Sequence, residues 1–183
     1  MGVYHLLVVF FPIALWDTAF LFILVRAVSD GALARRLEKG ITPLIFLGVL
    51  AGAVAYVLGL LVWPYSALTA SPLGRNHMLM ATWTLGYWTV LCVLAWRLGE
   101  ALWAGVGRWI MFGLSAVGVG LLTITGTLGG SVAGNPSGIS DLVRQLGWEV
   151  YTTFYVPNIT LWLLVAASVI LFVLGVWGRR HQA

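Results

Sequence analysis

The sequence is short of charge. Of its 183 residues, ten are lysine or arginine and six are aspartate or glutamate, so charged residues make up 9% of the chain against 61% from the apolar set. A water-soluble domain carries about 25% charged residues. With a mean hydropathy of +0.98, a compact globule of this chain would have too little polar surface to cover its outside. The solvent it is built for is a bilayer. That excludes a soluble enzyme. It also excludes a nucleic-acid reader: the pI of 9.6 rests on a net charge of only +4, scattered along the chain. Cysteine is nearly absent. Cys92 alone permits no internal disulfide and no cysteine-based metal cluster, and its mid-span position suits a small apolar packer. No Ser-His-Asp set, paired carboxylates or His-Glu-x-x-His run is present, and Glu100 and Glu149 are placed on opposite sides of the membrane. The stretch Gly129-Gly130-Ser131-Val132-Ala133-Gly134 follows no strand and precedes no lysine, so it is not a nucleotide loop.

What the sequence does have is long apolar runs. About 20 such residues cross the hydrocarbon as a helix, and five segments qualify: 6–25, 41–63, 77–96, 109–128 and 158–177. The expected fold is an all-α integral membrane protein of five transmembrane helices. Ser29-Asp30-Gly31, Trp63-Pro64-Tyr65, Asn135-Pro136-Ser137-Gly138 and Pro157-Asn158 supply the breaks. Arg26, Arg35, Arg36, Lys39, Arg97, Arg108, Arg179 and Arg180 fall on one face of this arrangement, and only Arg75 and Arg144 on the other. The positive-inside rule therefore puts the N-terminus outside and the C-terminus in the cytoplasm. The first span has no basic leader and no cleavage site, so it reads as an uncleaved span.

Aromatic residues fit these depths as interfacial anchors: Tyr4, Trp63, Tyr65, Trp148, Tyr151 and Tyr155 outside, Trp96, Trp103, Trp109 and Trp177 inside. Gly48 and Gly52, and the series Gly126, Gly130, Gly134, have the spacing of close helix packing. In the external loop, Ile139, Leu142, Val143, Leu146 and Val150 recur at helical spacing opposite Asp141, Arg144, Gln145 and Glu149. This is an external amphipathic helix, which either seals the bundle or docks a partner.

Few ionisable groups lie at membrane depth. Asp17 is mid-bilayer, where a charge is costly. It reads either as a protonated carboxyl bonded to one of Thr18, Thr82, Thr84, Thr123 or Thr125, or as a proton or quinone contact. His181 belongs to the polar tail. His5 opens the first span and His77 the third, 72 residues apart but at nearly equal depth on the outer face. Two imidazoles from different helices at one depth are what a bis-histidine metal or haem site needs. Arg75 stands where haem propionates could meet a cation. No Cys-x-x-Cys-His run exists, so the haem would be haem b. Met78 and Met80 beside His77, and Met1 near His5, leave copper as a minor alternative. Each histidine could equally be an interfacial ring hydrogen-bonded to loop carbonyls.

The opening His5-Leu-Leu-Val-Val-Phe-Phe-Pro-Ile-Ala-Leu15 with Asp17 resembles the start of a bacterial membrane family known as domain of unknown function 2231. Ala51-Gly52 and Gly59, Arg75-Asn76-His77, and Gly126-Thr127-Leu128-Gly129-Gly130 are similar to that family's later motifs. The likeness covers approximately residues 4–133. It implies a four-helix bundle core over residues 1–134 whose histidines suggest haem, with His5 and His77 at the ligand positions. Phe10 stands where the family has a second early histidine, and a histidine expected after the fourth helix is missing, so at most one bis-histidine centre remains. Residues 135–157, the external loop, and 158–183, the fifth helix and cytoplasmic tail, have no counterpart in that pattern.

The expected function is an electron-transfer subunit holding one haem near the periplasmic face. Its partners would be other membrane subunits of a redox complex, lipid, and a periplasmic cytochrome or quinone, with no nucleic acid. The competing class is a cofactor-free accessory or assembly subunit. A solute carrier is disfavoured, because five spans do not divide into inverted repeats.

Overall fold

The computed structural model describes residues 2–62, 64–147, 166 and 170. Long apolar runs become long helices, and four are long and apolar enough to cross a membrane. These are α1 (Gly2–Val28), α2 (Ala32–Val62), α4 (Pro72–Leu98, continued by a 3-10 turn at Gly99–Trp103) and α5 (Gly107–Val132). Two short helices, α3 (Tyr65–Ala70) and α6 (Gly138–Gln145), follow α2 and α5. The breaks fall where turn chemistry dictates. Ser29 Oγ accepts from the Gly31 amide at 3.1 Å between α1 and α2. Ser71 caps α4 through the Gly74 amide at 3.0 Å with Pro72 in the first turn.

The helices run beyond the apolar segments. Arg35, Arg36 and Lys39, expected in a loop, lie in the first turns of α2. A helix keeps its own backbone bonded wherever it goes, and long basic side chains at its end reach water without breaking it. The fifth span and the end of the amphipathic stretch, from Trp148 on, lie outside the described residues apart from Ala166 and Ile170, which are helical. In α6 and the turn that follows it, Ile139, Leu142 and Leu146 are exposed, while Ser140 is buried and its hydroxyl lies 3.4 Å from that of Ser131.

The four spans form a ring. α1 packs on α2, α2 on α4, α4 on α5 and α5 on α1, which leaves α1 and α4 facing each other across a diagonal. The centre of that diagonal is a stacked pair of indoles: Trp16 and Trp88, both buried, with ring centroids 5.2 Å apart and planes within 5°. Each indole N–H donates to a carbonyl of its own hairpin partner, Trp16 to Ile45 at 3.3 Å and Trp88 to Gly118 at 3.2 Å. Each ring also lies against a glycine. A Cβ on Gly48 would overlap the Trp16 ring, and one on Gly118 would sit 2.9 Å from Trp88 Cε2. Glycine is required at both positions because the indole occupies the space a side chain would take.

These equivalences extend along the whole bundle. The buried positions Pro12, Trp16, Ala19 and Ile23 of α1 recur 72 residues later as Thr84, Trp88, Leu91 and Ala95 of α4. Buried Ile41, Ile45, Gly48 and Gly52 of α2 recur 70 residues later as Met111, Ser115, Gly118 and Leu122 of α5. The core is thus two copies of one helical hairpin. Because Trp16 stacks on its own counterpart, the halves are related by an approximate two-fold axis running along the helices, a parallel repeat rather than an inverted one.

The end of the bundle remote from His5 is tied by charge. Arg26 is buried, donates from Nε to Glu38 and from Nη1 to Asp30, both at 2.6 Å, and lies 5.9 Å over the Trp103 ring. Trp103, expected as an interfacial anchor, is instead part of the core. Arg108 of α5 reaches the other oxygen of Asp30 at 2.7 Å, so one carboxylate links the first hairpin to the second. The Arg108 and then the Arg26 guanidinium hold the Asp30 carboxyl below its ordinary value of 3.8. A depressed carboxyl contributes stability that is complete above its unfolded pKa and is lost as pH falls through the folded one. Thermal unfolding in detergent is therefore expected to show an acid-side loss below about pH 4 that Asp30→Asn removes; an unchanged acid limb in Asp30→Asn would assign that loss to other groups.

Candidate metal centre at the histidine end

The two-fold relation carries His5 onto His77. Both lie eleven residues before their tryptophans, about 16 Å along the axis at 1.5 Å per residue, at the same end of the bundle and on the two diagonal helices. Each ring is fixed in the same way. His5 Nδ1 donates to the Ala55 carbonyl at 2.9 Å, and His77 Nδ1 to the Thr125 carbonyl at 3.1 Å; these two acceptors are themselves equivalent, 70 residues apart. A carbonyl can only accept, so Nδ1 carries the proton in both rings and Nε2 keeps its lone pair. Neither Nε2 has a hydrogen-bond partner among the described residues. The floor under each ring is again a glycine: a Cβ on Gly59 would lie 3.0 Å from His5 Cε1, and one on Gly129 2.8 Å from His77 Cε1.

An imidazole whose Nδ1–H is held by a carbonyl, with Nε2 bare, is the form a metal-ligating histidine takes. Among the described residues no group of three or more His, Cys, Asp or Glu could hold a metal ion. A bare zinc or copper ion wants three or four protein ligands. Haem iron takes its equatorial ligands from the macrocycle and asks the protein for two axial ones. The donor set, two matched Nε2 atoms, fits haem better than a bare ion.

Arg75 is exposed in the first turn of α4, two residues before His77, on the same end of the bundle. Met78 and Met80 are half-buried on the following turn, and Cys92 packs half-buried against the core. Asp17 is half-buried on α1 beside Trp16. No hydrogen bond of its carboxyl to a threonine is seen among the described residues, so of its two readings the threonine-bonded one has no partner there. The threonines have other partners: Thr18 bonds Ala14 O, Thr82 bonds Met78 O and the Tyr56 hydroxyl, and Thr84 pairs with Thr125. Thr123 instead lines a cleft with Asp17. Among the described residues, the expected packing series at and after the end of α5 makes no helix–helix contact. Gly126 has nothing within 4 Å of an added Cβ, Gly130 lies against the Asn135 carbonyl, and Gly134 ends its segment at φ +73.

Over residues 4–136 the chain matches the family described as predicted membrane protein (DUF2231). The chain belongs to that family. The match takes in His5, Trp16, Gly59, His77, Trp88 and Gly129, hence both copies of the hairpin, and stops short of α6. The DUF2231 stretch is thus the duplicated four-helix unit itself. No curated protein and no solved structure matches the chain.

Sequence reasoning missed the tryptophan pair, the glycine floors and the repeat. The signal was available: the spacing between His5 and His77 is also the spacing between Trp16 and Trp88.

Proposed function

We propose that this multi-pass membrane protein is an electron-transfer subunit carrying one haem b between α1 and α4, with His5 and His77 as its axial ligands. The observation that supports this most is the matched pair of Nδ1-anchored imidazoles, related by the pseudo-two-fold and each leaving Nε2 bare. When bound, the haem supplies one-electron chemistry. The chain's own residues do the rest. Ala55 and Thr125 carbonyls fix the tautomer and raise the basicity of both rings, and Gly59 and Gly129 set how far each ring stands from its hairpin partner. Arg75, exposed at the rim, supplies a cation for propionates. The buried indole pair fills the core of the bundle beneath the site.

In this reading the histidine end faces the periplasm and the Arg26 end the cytoplasm of a bacterial inner membrane, as the basic residues of the sequence require. The fifth span and the α6 region add contacts to other subunits of a redox complex, and electrons pass between those subunits and a periplasmic cytochrome or a quinone. The test is a reduced-minus-oxidised absorption spectrum of the full chain purified in detergent from haem-replete cells. One b-type haem per chain is the expected result. A colourless protein that also fails to take up added haem overturns the reading and leaves a cofactor-free accessory subunit.

A further inference from the structure

The two-fold is broken between α1 and α5, and the break there makes a cleft. Between α1 and α5 lies a cavity of about 200 Å³ lined by Ile13, Asp17, Thr123, Gly126 and Thr127, with Ser137 and Ile139 above it. The equivalent groove, between α2 and α4, has Leu85, Thr89, Ala53, Tyr56 and Val57 at the matching positions. There the Tyr56 ring spans the groove and its hydroxyl meets Thr82 at 2.8 Å. Gly126 stands where Tyr56 would be, and nothing lies within 4 Å of the Cβ it lacks. A six-membered ring has been taken out of one copy.

The lining has changed with it. Val57 becomes Thr127, Ala53 becomes Thr123 and Thr89 becomes Asp17. Thr89 returns its hydroxyl to the Leu85 carbonyl, as Thr18, Thr82 and Thr125 do to the carbonyls one turn before them. The Asp17 carboxyl and the hydroxyls of Thr123 and Thr127 make no such bond and have no partner among the described residues. Within a membrane span, polar groups without partners are costly. Three of them line the space that the tyrosine ring fills in the other copy.

We infer that this cleft binds the oxygenated six-membered ring of a quinone or quinol headgroup. The ring takes the place of the absent tyrosine. Its carbonyl or hydroxyl oxygens meet Thr123 and Thr127 on one side, and Asp17 receives a quinol hydroxyl on the other. The size agrees, since an apolar cavity of about 150 Å³ accepts benzene. The cleft lies within the spans, so the ligand enters from the lipid in which quinones dissolve. This sharpens one partner named in the functional reading but stands on the cleft alone.

The test is equilibrium dialysis of the full chain in detergent against a short-chain benzoquinone, a readout that needs no haem, so it fails or succeeds independently of the haem reading. Saturable binding at one site per chain is expected, weakened about tenfold or more by Gly126→Tyr, which puts the ring back, and about five- to tenfold by Thr127→Val, the residue of the other copy. Far-UV circular dichroism and gel filtration check that each variant is folded; if Gly126→Tyr is not, Thr127→Val and Asp17→Asn decide. No saturable binding by the unaltered chain, or binding unchanged in the folded variants, overturns the inference.

Discussion

Replacing Trp88 with alanine is expected to destabilise the bundle by about 3–5 kcal/mol, at the upper end of what one side chain contributes. The indole is fully buried, donates to the Gly118 carbonyl and stacks on Trp16 across the diagonal of the bundle. Its removal leaves a cavity that Gly118 has no side chain to fill. Trp16→Ala should cost nearly as much, because the second ring occupies the same position in the other copy. The informative measurement is the double variant. Stacked aromatic pairs carry about 0.5–1.5 kcal/mol beyond their buried area, so the double replacement should cost less than the sum of the singles by roughly that amount. Unfolding in mixed micelles measures all three, and strict additivity would contradict the central role given to the stack.

The second large effect concerns haem retention. Under the proposed haem reading, His5→Ala and His77→Ala would each leave one histidine ligand, and each should lower bound haem about tenfold or more and turn what remains from low to high spin. The two variants should resemble each other, because the two-fold makes the positions equivalent. Gly129→Val leaves His77 in the chain but drives a side chain into its ring, where a Cβ alone would lie 2.8 Å from Cε1. Displacing a ligand by disturbing what supports it typically costs about 10–100-fold in affinity, so this variant should lose haem without losing a ligand. All three should remain folded by circular dichroism, since the rings stand at the end of the bundle and not in its tryptophan core.

The four spans were legible because nothing competes with an apolar run of that length. Their ends were not. Apolarity stops at Ile41, but α2 starts at Ala32, since a helix tolerates basic residues wherever their side chains reach water. The repeat escaped notice for a concrete reason. The first helices of the hairpins are offset by 72 residues and the second by 70, so no single shift aligns the halves, and most equivalent positions share burial and not identity: Ile45 with Ser115, Pro12 with Thr84. Apart from a few apolar positions such as Leu44 with Leu114 and Leu58 with Leu128, the residues that repeat are His5 with His77, Trp16 with Trp88 and three glycine pairs, Gly2 with Gly74, Gly48 with Gly118 and Gly59 with Gly129.

The histidine placement was legible, because equal depth follows from span order alone. The anchoring carbonyls were not, since a backbone acceptor leaves no trace in side-chain identity. Asp17 was visible as an isolated carboxyl. Its lack of a threonine partner, and the reason Gly126 is a glycine, became clear only when Tyr56 was seen in the equivalent groove.

The most direct measurement is the low-temperature electron paramagnetic resonance spectrum of the ferric full-length protein. Two imidazoles on one iron predict a low-spin bis-histidine signal, one per chain, lost from both His5→Ala and His77→Ala. The contradicting result is a protein with no haem iron, or an iron signal that survives replacement of either histidine.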